Sequence, residues 1–223
     1  MTTAIEDEYR KAIQYLLERN DYYDALSQEG VRHEPFKTTF MTSINYSVPL
    51  AIIVNRLDPK PRENESYADR LKRILKGKKI LEIGARHGIF VDFLNKHGAK
   101  AEGIDLNEVS SAIARKHGVP VETKALEDLN DNAKYDLVLS HQFFDWAYFE
   151  RFRHSATPPD VQKMCDKIST ALKSGGLSIH TVDKSDSIIE RKNLETAGLV
   201  VESHGKKEFP FGEYHVSIAR RVR

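Results

Sequence analysis

A short segment with two glycines four positions apart is the part of this sequence best suited to bind a ligand. It runs from Lys79 to Gly88 (KILEIGARHG) and combines an apolar strand, a turn and the start of a helix. Glycine lets a backbone approach a ligand closely, and the first turn of a helix offers unpaired N–H groups. A tight turn between strand and helix, with no ligand, would explain Gly84 and Gly88 equally well.

Two acidic residues stand where the first two strands are predicted to end. Glu82 closes the first strand, and Asp105 closes the second, 21 residues after Gly84. A carboxylate at the second position can accept hydrogen bonds from both ribose hydroxyls of an adenosine group. This arrangement suits a dinucleotide and S-adenosylmethionine alike.

Details of the turn distinguish these two cofactors. The G-x-G-x-x-G spacing typical of a pyrophosphate site is absent, and Arg86 stands in the middle of the turn. The negative charge of Glu82 would repel a pyrophosphate but would attract the ammonium group of a methionine moiety. A dehydrogenase remains the alternative for this part of the chain.

The elements that must position these residues alternate from residue 78 onward. Apolar runs predict strands, and helices follow the first, second, fourth and fifth of them. Such alternation is typical of a parallel sheet covered on both faces. No helix separates the last two runs, 199–203 and 214–222, so we expect a hairpin that adds an antiparallel strand. The predicted helices include 88–96, one capped by Asn107, one from Pro158 to Gly175 and Gly176, and 185–197.

Residues 1–77 have a different, mainly helical pattern and carry no chemical motif. Apolar residues recur at helical spacing from Ile5 to Leu16, and a short helix is predicted over 22–28. Residues 31–46 look irregular. Ser47 and Pro49 suit the N-cap and first turn of the next helix, and a further helix begins at Ser66. We therefore divide the chain into 1–77 and 78–223.

Residues 78–223 resemble the class I S-adenosylmethionine-dependent methyltransferases. The resemblance is carried by EIGARHG, GIDLN, ALEDL, YDLVLSH and LKSGG. It implies an α/β fold with a Rossmann-like, seven-stranded, mostly parallel sheet whose final strand is antiparallel. It also implies that S-adenosyl-L-methionine donates a methyl group to an acceptor by in-line displacement.

The same resemblance assigns roles to residues at the motif positions. Glu82 would orient the amino end of the cofactor, Asp105 would bind the ribose hydroxyls and Leu106 would pack on the adenine. Ser140 would face the sulfonium together with His141. The complete predicted cofactor set is Glu82, Gly84, Ala85, Arg86, His87, Gly88, Asp105, Leu106, Leu126, Glu127 and Ser140.

The chain departs from the family pattern at two of these positions. The family often has a third glycine where Arg86 stands, which predicts a stiffer turn with Arg86 pointing outward. Many members have Asp where this chain has Ala125. The adenine contact would then fall to the backbone near Leu126, or to the side chain of Glu127 or Asp128.

His141 is the candidate catalytic base. It follows the fourth parallel strand, at the edge where such sheets bind ligands, and an unperturbed histidine has a pKa near ~6.5. The alternative is a histidine that only lines the cofactor pocket. An aromatic stretch follows it and could form either a wall over a flat acceptor or part of the core: Phe143, Phe144, Trp146, Tyr148, Phe149 and Phe152.

Composition excludes several other classes of protein. Lys and Arg number 34 against 33 Asp and Glu, a net charge of +1, so nucleic acid is an unlikely partner. A local basic strip at Arg220, Arg221 and Arg223 keeps that alternative open. The single cysteine and the scattered histidines predict no metal site. No apolar run is long enough to span a membrane, so we expect a soluble, cytoplasmic protein.

These observations predict a methyltransferase that acts on a small-molecule acceptor. Methylation of RNA or protein, or cofactor binding without transfer, are the alternatives. The resemblance implies that residues 1–77 form a lid over the acceptor, a homodimer surface or both, and a plain packing role fits them equally well. Residues 33–47, with aromatic and hydroxyl side chains, would suit the lid. The sequence does not indicate which atom of the acceptor is methylated.

Overall fold

A computed structural model describes residues 4–17, 35–145, 158–183, 187–210 and 212–222. Within these ranges, the side chains of residues 4–6, 17, 35–45, 158 and 159 are not described.

A seven-stranded sheet forms the centre of the fold, with the order β3-β2-β1-β4-β5-β7-β6. The first five strands pair in parallel, whereas β7 is antiparallel to both of its neighbours. The predicted fold class and the predicted terminal hairpin are therefore confirmed. The strands are β1 (Lys79–Ile83), β2 (Lys100–Asp105), β3 (Val121–Thr123), β4 (Tyr135–His141), β5 (Leu172–Asp183), β6 (Leu199–Phe209) and β7 (Gly212–Arg221).

Three helices precede the first strand in the chain, and the other four follow later strands. Ser66 and Asn107 cap two of them, because their side-chain oxygens accept the N–H groups three residues ahead. The helices are α1 (Ala4–Leu17), α2 (Pro35–Leu57), α3 (Tyr67–Leu75), α4 (Ile89–Lys96), α5 (Glu108–Lys116), α6 (Pro158–Ala171) and α7 (Arg191–Thr196), with a 3₁₀ turn at Leu126–Asp128.

The two faces of the sheet pack against separate hydrophobic cores. Successive side chains of β4 alternate between them: Leu137 and Leu139 belong to the core that contains α1 to α4, and Val138 belongs to the core that contains α6 and α7. Burial on both faces explains why the central strands are almost continuously apolar.

The N-terminal helices share the first of these cores. Tyr9 and Ala12 of α1 are fully buried there. A buried ion pair joins α1 to α3, with Nη1 of Arg70 lying 2.7 Å from Oε1 of Glu8. The same guanidinium contacts Asp58 at 3.1 Å. Residues before the sheet are therefore packed directly onto it.

Helix α2 begins earlier than the sequence predicts. It starts at Pro35 and continues through Pro49, so the predicted start at Ser47 and the predicted irregular segment 31–46 are wrong over residues 35–46. Proline inside a helix removes one backbone hydrogen bond. Here Val48 and Leu50, on either side of it, are fully buried, so packing outweighs that loss.

Two other helix boundaries also need correction. Helix α6 ends at Ala171 instead of at the predicted Gly175 and Gly176, because β5 begins at Leu172, the first residue of LKSGG. Gly175 has a positive φ of 74° within that strand. Helix α7 begins only at Arg191, where Glu190 and Asn193 form a reciprocal cap, instead of near residue 185. The helix predicted over 22–28 lies outside the described residues.

The arginines near the end of β7 bind to the protein itself. Nε of Arg220 lies 2.7 Å from Glu202, and Nη1 of Arg221 donates to the carbonyl of Thr170 at 2.9 Å. These contacts weaken the case for a basic strip that binds RNA. Among the helices described, none has the length and apolarity to cross a bilayer.

Candidate functional site

The residues predicted to do chemistry come together at one edge of the sheet. Strand β1 pairs in parallel with β2 and with β4, so Glu82, Asp105 and His141 all lie at or near the carboxyl ends of adjacent strands. This is the edge where open parallel sheets bind ligands.

The backbone conformation and the close packing of the glycine turn both favour glycine at Gly84 and Gly88. Gly84 and Gly88 have φ values of 76° and 71°. A Cβ at Gly84 would lie 2.9 Å from Cδ2 of Phe143, and one at Gly88 would lie 2.7 Å from Cγ1 of Val119. The fold therefore requires both glycines whether or not a ligand also approaches them.

Asp105 is held in place by two backbone groups. The N–H of Arg86 donates to Oδ2 at 2.8 Å, and the N–H of Asn107 donates to Oδ1 at 2.7 Å. Each carboxylate oxygen has two lone pairs, so both retain capacity for a ligand hydroxyl. The side chain of Arg86 is exposed, and its φ of 49° is left-handed.

Glu82 is a buried carboxyl group at the centre of this edge. Only 1% of it is exposed, and among the described residues its Oε2 has no hydrogen-bond partner. Burial, and then the nearby charge of Asp105, raise its pKa well above the ordinary value. An unsatisfied buried oxygen is costly, so this atom fits the cationic amino end of a methionine moiety.

The segment predicted to border the adenine lies beside Asp105. The N–H of Lys124 donates to the carbonyl of Asp105 at 3.0 Å, which brings the following 3₁₀ turn close to the strand end. Leu106 is 50% exposed, as an adenine platform would require. The Leu126 side chain is buried in the core, so only its backbone could reach a ligand, and Glu127 is half-buried.

Ala85 and His87 complete the predicted turn. Ala85 is buried and His87 is half-buried. Sequence reasoning missed Gly103, whose added Cβ would collide with the Cβ of Ala85. A glycine inside a strand is a sign of such close approach.

A threonine on the neighbouring strand contacts one ring nitrogen of His141. The Nδ1 atom of the ring lies 2.9 Å from Oγ1 of Thr181. A tautomer with hydrogen on Nδ1 would donate to this hydroxyl and leave the lone pair of Nε2 able to accept a proton. Among the described residues Nε2 is buried without a partner. Burial, and then Arg86, lower the pKa of His141 to about 3.

Ser140 points to the opposite face of the sheet from His141. Its Oγ lies 2.8 Å from Nδ1 of His180, whose Nε2 lies 2.6 Å from Oγ of Ser178. Adjacent strand residues alternate between faces, so the two neighbours predicted to face the sulfonium together do not share a surface.

The aromatic surroundings of His141 come from one residue of the segment 33–47, proposed above as a lid, and from one that the sequence did not single out. Tyr46 of α2 and Tyr214 of β7 have ring centroids 5.8 and 6.5 Å from the imidazole. Tyr46 also stacks on Phe90 of α4 at 4.8 Å. No signal in the sequence links these segments, since they meet only when the chain folds.

The aromatic stretch after β4 is part of the core as far as it is described. Phe143 and Phe144 are 8% and 0% exposed and belong to the second core. Trp146, Tyr148, Phe149 and Phe152 lie outside the described residues. In the described part of the chain, no group of three or more His, Cys, Asp or Glu could hold a metal ion.

A cavity of about 260 Å³ lies at the opposite edge of the sheet. It is lined by Lys78, Asp136, Lys173, Gly175, Arg220 and neighbouring residues. Lys173 pairs with Asp136 and Arg220 pairs with Glu202, so these charges are matched within the fold. Because this edge is remote from Glu82 and His141, the cavity is separate from the candidate site.

Comparison with known proteins finds similar sequences among methyltransferases. Ubiquinone biosynthesis O-methyltransferase from Idiomarina loihiensis is 32% identical over 108 residues, which are 45% of this chain and 40% of that protein. The enzyme of the same name from Bordetella avium is 32% identical over 121 residues, 49% and 44% of the two chains. The aligned parts thus span less than half of these curated relatives.

Solved structures show the same fold at low identity. The 1,6-didemethyltoxoflavin-N1-methyltransferase of Burkholderia thailandensis, solved with S-adenosylhomocysteine, is 18% identical with a TM-score of 0.52, covering 72% of this chain and 80% of that one. A TehB-like methyltransferase of Corynebacterium glutamicum is 20% identical with a TM-score of 0.54, covering 71% and 90%.

The family follows from a match that covers most of the chain. The model of the family described as "Methyltransferase domain" matches residues 60–211. This chain belongs to that methyltransferase family, and the resemblance predicted from the sequence motifs is confirmed.

Proposed function

We propose that this protein transfers a methyl group from S-adenosyl-L-methionine to a hydroxyl group of a small-molecule acceptor. The observation that carries the proposal is that Glu82 and Asp105 lie at the same sheet edge as His141, a buried histidine whose Nε2 has no hydrogen-bond partner among the described residues. The names of the curated relatives, which are O-methyltransferases, support the choice of oxygen.

The cofactor site is supported by donor and acceptor chemistry. S-adenosylmethionine supplies an activated methyl group on a sulfonium. Asp105, fixed by the amides of Arg86 and Asn107, offers oxygens to two ribose hydroxyls. Glu82 offers a buried oxygen to the amino group, and Leu106 offers an exposed apolar surface to the adenine. These residues bind and orient the cofactor, and positioning of this kind is worth ~7–11 kcal/mol in favourable cases.

His141 would act on the acceptor side. An alcohol or phenol must lose its proton as the new bond to carbon forms, so a base is needed for oxygen but not for a neutral amine. With its hydrogen on Nδ1, the ring would donate to Thr181, which orients it, and Nε2 would be the proton acceptor. Burial, and then Arg86, lower the pKa of His141 to about 3, so the ring is neutral at physiological pH and Nε2 can take the proton that the acceptor oxygen loses as the methyl group is transferred.

The N-terminal helices would form the cap over this site. Tyr46 of α2 lies against His141, and α1 packs onto the same face of the sheet. A cap of this kind excludes water and strengthens the electrostatic interactions beneath it. Residues 1–77 could also carry a homodimer surface in addition to this cap. Sedimentation of the purified protein would measure whether it is a monomer or a dimer.

Two measurements test the function. Calorimetry should show saturable binding of S-adenosylmethionine, and incubation of extract with methyl-labelled cofactor should give a labelled small molecule with an O-methyl group. Absence of binding at millimolar cofactor would refute the proposal. Binding without transfer would indicate a cofactor-binding module, and label in RNA or protein would indicate a macromolecular acceptor.

A further inference from the structure

A carboxylate outside the cofactor site lies on the same face of the sheet as His141. Asp183 is the last residue of β5, two positions beyond Thr181, so its side chain and that of Thr181 point to the same face. Its Oδ1 is buried, and among the described residues this atom has no hydrogen-bond partner. In the described part of the chain, Asp183 also takes part in no ion pair.

Two buried phenol groups lie near enough to this carboxylate to feel its charge. Asp183 pairs with Tyr214 directly across the β5–β7 ladder, so the two side chains emerge side by side. Tyr214 and Tyr9 are 1% and 0% exposed, and both pack on Phe209 with ring centroids 5.5 and 5.3 Å away. Burial, and then the charge of Asp183, raise the pKa of Tyr214. The pKa of Tyr9 is also raised, first by burial and to a smaller extent by the same carboxylate.

The cluster is continuous with the candidate base. The Tyr214 ring lies 6.5 Å from the ring of His141, and β4 pairs with β5 so that His141 stands opposite Thr181. Three elements, α1, β5 and β7, thus place a carboxylate in an aromatic setting on the same face of the sheet as His141. A buried carboxylate oxygen with no donor is costly, so a ligand that supplies one gains affinity there.

We propose that Asp183, with Tyr9 and Tyr214, is the subsite that recognises the acceptor, and that it binds a hydrogen-bond donor on the far side of the acceptor from the reacting hydroxyl. This inference rests on the proposed function. Asp183 lies two residues along β5 from the position opposite His141, which is ~7 Å at strand rise, and the two side chains stand on neighbouring strands ~5 Å apart.

That separation selects the acceptor geometry. Because the two positions are separated both along and across the strands, a donor across a six-membered ring from the reacting hydroxyl suits this spacing better than one on the neighbouring carbon. The rings of Tyr46 and Tyr214 suit a flat aromatic body between the two polar ends. The predicted acceptor class is therefore an aromatic hydroxyl compound with a para-related donor.

Three small probes test the geometry: 4-aminophenol, 2-aminophenol and 4-methylphenol. Binding to the full chain saturated with S-adenosylhomocysteine is measured by calorimetry, which needs no transfer step. The wild type should bind 4-aminophenol about tenfold more tightly than either other probe, since a hydrogen bond to a charged group contributes that much. Asp183→Asn should reduce the advantage to about twofold while leaving 4-methylphenol almost unchanged.

Two further variants provide controls. Tyr214→Phe removes only a hydroxyl and should weaken the same preference without loss of fold, so it serves if Asp183→Asn is unstable. Glu208→Gln changes an exposed carboxylate on β6 and should leave all three affinities unaltered.

The outcomes separate this inference from the proposed function. Equal binding of the three probes by the wild type, or a preference that survives Asp183→Asn, would overturn the subsite. If the preference is present but no labelled methyl group reaches any phenol, the subsite stands and the proposed transfer to oxygen is wrong.

Discussion

The Nδ1 atom of His141 lies 2.9 Å from Oγ1 of Thr181, on the strand next to it in the sheet. When Nδ1 carries the hydrogen and donates to this hydroxyl, Nε2 has a lone pair that can accept a proton. The role proposed for His141 as a base therefore depends on this contact.

Replacing either partner should impair transfer without affecting cofactor binding. His141→Asn should lower kcat/KM for the acceptor by about 100-fold, the usual value of a general base. Thr181→Val should lower kcat by about tenfold because the imidazole loses its orientation. Thr181→Ser keeps the hydroxyl and is the matched control, so its kcat should stay near that of the wild type. Full activity of His141→Asn at every pH would exclude the base.

Asp105→Ala should weaken binding of S-adenosylmethionine by more than about tenfold, since two hydrogen bonds to the ribose are lost. The same carboxylate also accepts the amides of Arg86 and Asn107, so Asp105→Asn, which keeps one acceptor oxygen, is the milder test. Melting temperature measured alongside calorimetry distinguishes loss of the site from loss of the turn. An unchanged dissociation constant in a folded variant would show that the ribose assignment is wrong.

Glu82 should make cofactor binding depend on pH. Its pKa in the folded protein is raised, so the carboxyl group stabilises the fold at pH values below its unfolded pKa of about 4.5, and that contribution is lost as pH rises through the folded pKa. Binding of a cation favours the ionised form, so cofactor affinity should rise with pH. Calorimetry from pH 5 to 8 should show this slope in the wild type and a weaker, flat affinity in Glu82→Gln.

Acid should destabilise the protein through its buried histidines. Burial lowers the pKa of both His141 and His180 to about 3, so the stability tied to their neutral forms is complete above pH 6.5 and is lost as pH falls toward 3. Thermal unfolding should therefore show a melting temperature that declines across this window. His180→Asn should have a lower melting temperature at pH 7 but a shallower decline, and an identical decline would contradict the assignment.

The ion pair between Glu8 and Arg70 should hold the N-terminal helix on the sheet. The two side chains are 8% and 3% exposed, so Glu8→Ala leaves a buried guanidinium that, in the described part of the chain, keeps Asp58 as its acidic partner. The change should cost about 3 kcal/mol of unfolding free energy. Lys11→Ala removes the exposed partner of the same carboxylate and should cost about 0.5 kcal/mol. Urea unfolding measures both values, and equal losses would argue against a buried pair.

Some parts of the fold could be predicted because they depend on local pattern. The run from Tyr135 to Ser140 is apolar and ends in polar residues, which is sufficient to predict a buried strand whose end faces a ligand edge. Pro49 shows where local pattern fails. Its local preference is to begin a helix, but α2 continues through it because the residues on either side are buried in the core.

The candidate site divides in the same way. Glu82, Asp105 and His141 could be proposed as site residues because each lies at or next to the end of a strand, and in a parallel sheet strand ends share one edge. Tyr46 could be proposed only as one aromatic residue of the segment 33–47. Tyr9, Asp183 and Tyr214 could not, because they come from α1, β5 and β7 and are brought together only by packing.

The sequence alone determined that strands and helices alternate, and therefore that carboxylates and a histidine at strand ends meet at one edge of a sheet. Tertiary structure decided which face of that sheet each side chain occupies. Ser140 and His141 are neighbours in the chain, yet one bonds to His180 in the second core and the other lies beneath the N-terminal helices. The physical reason is that strand periodicity alternates the side chains between faces, while only long-range packing decides what covers each face.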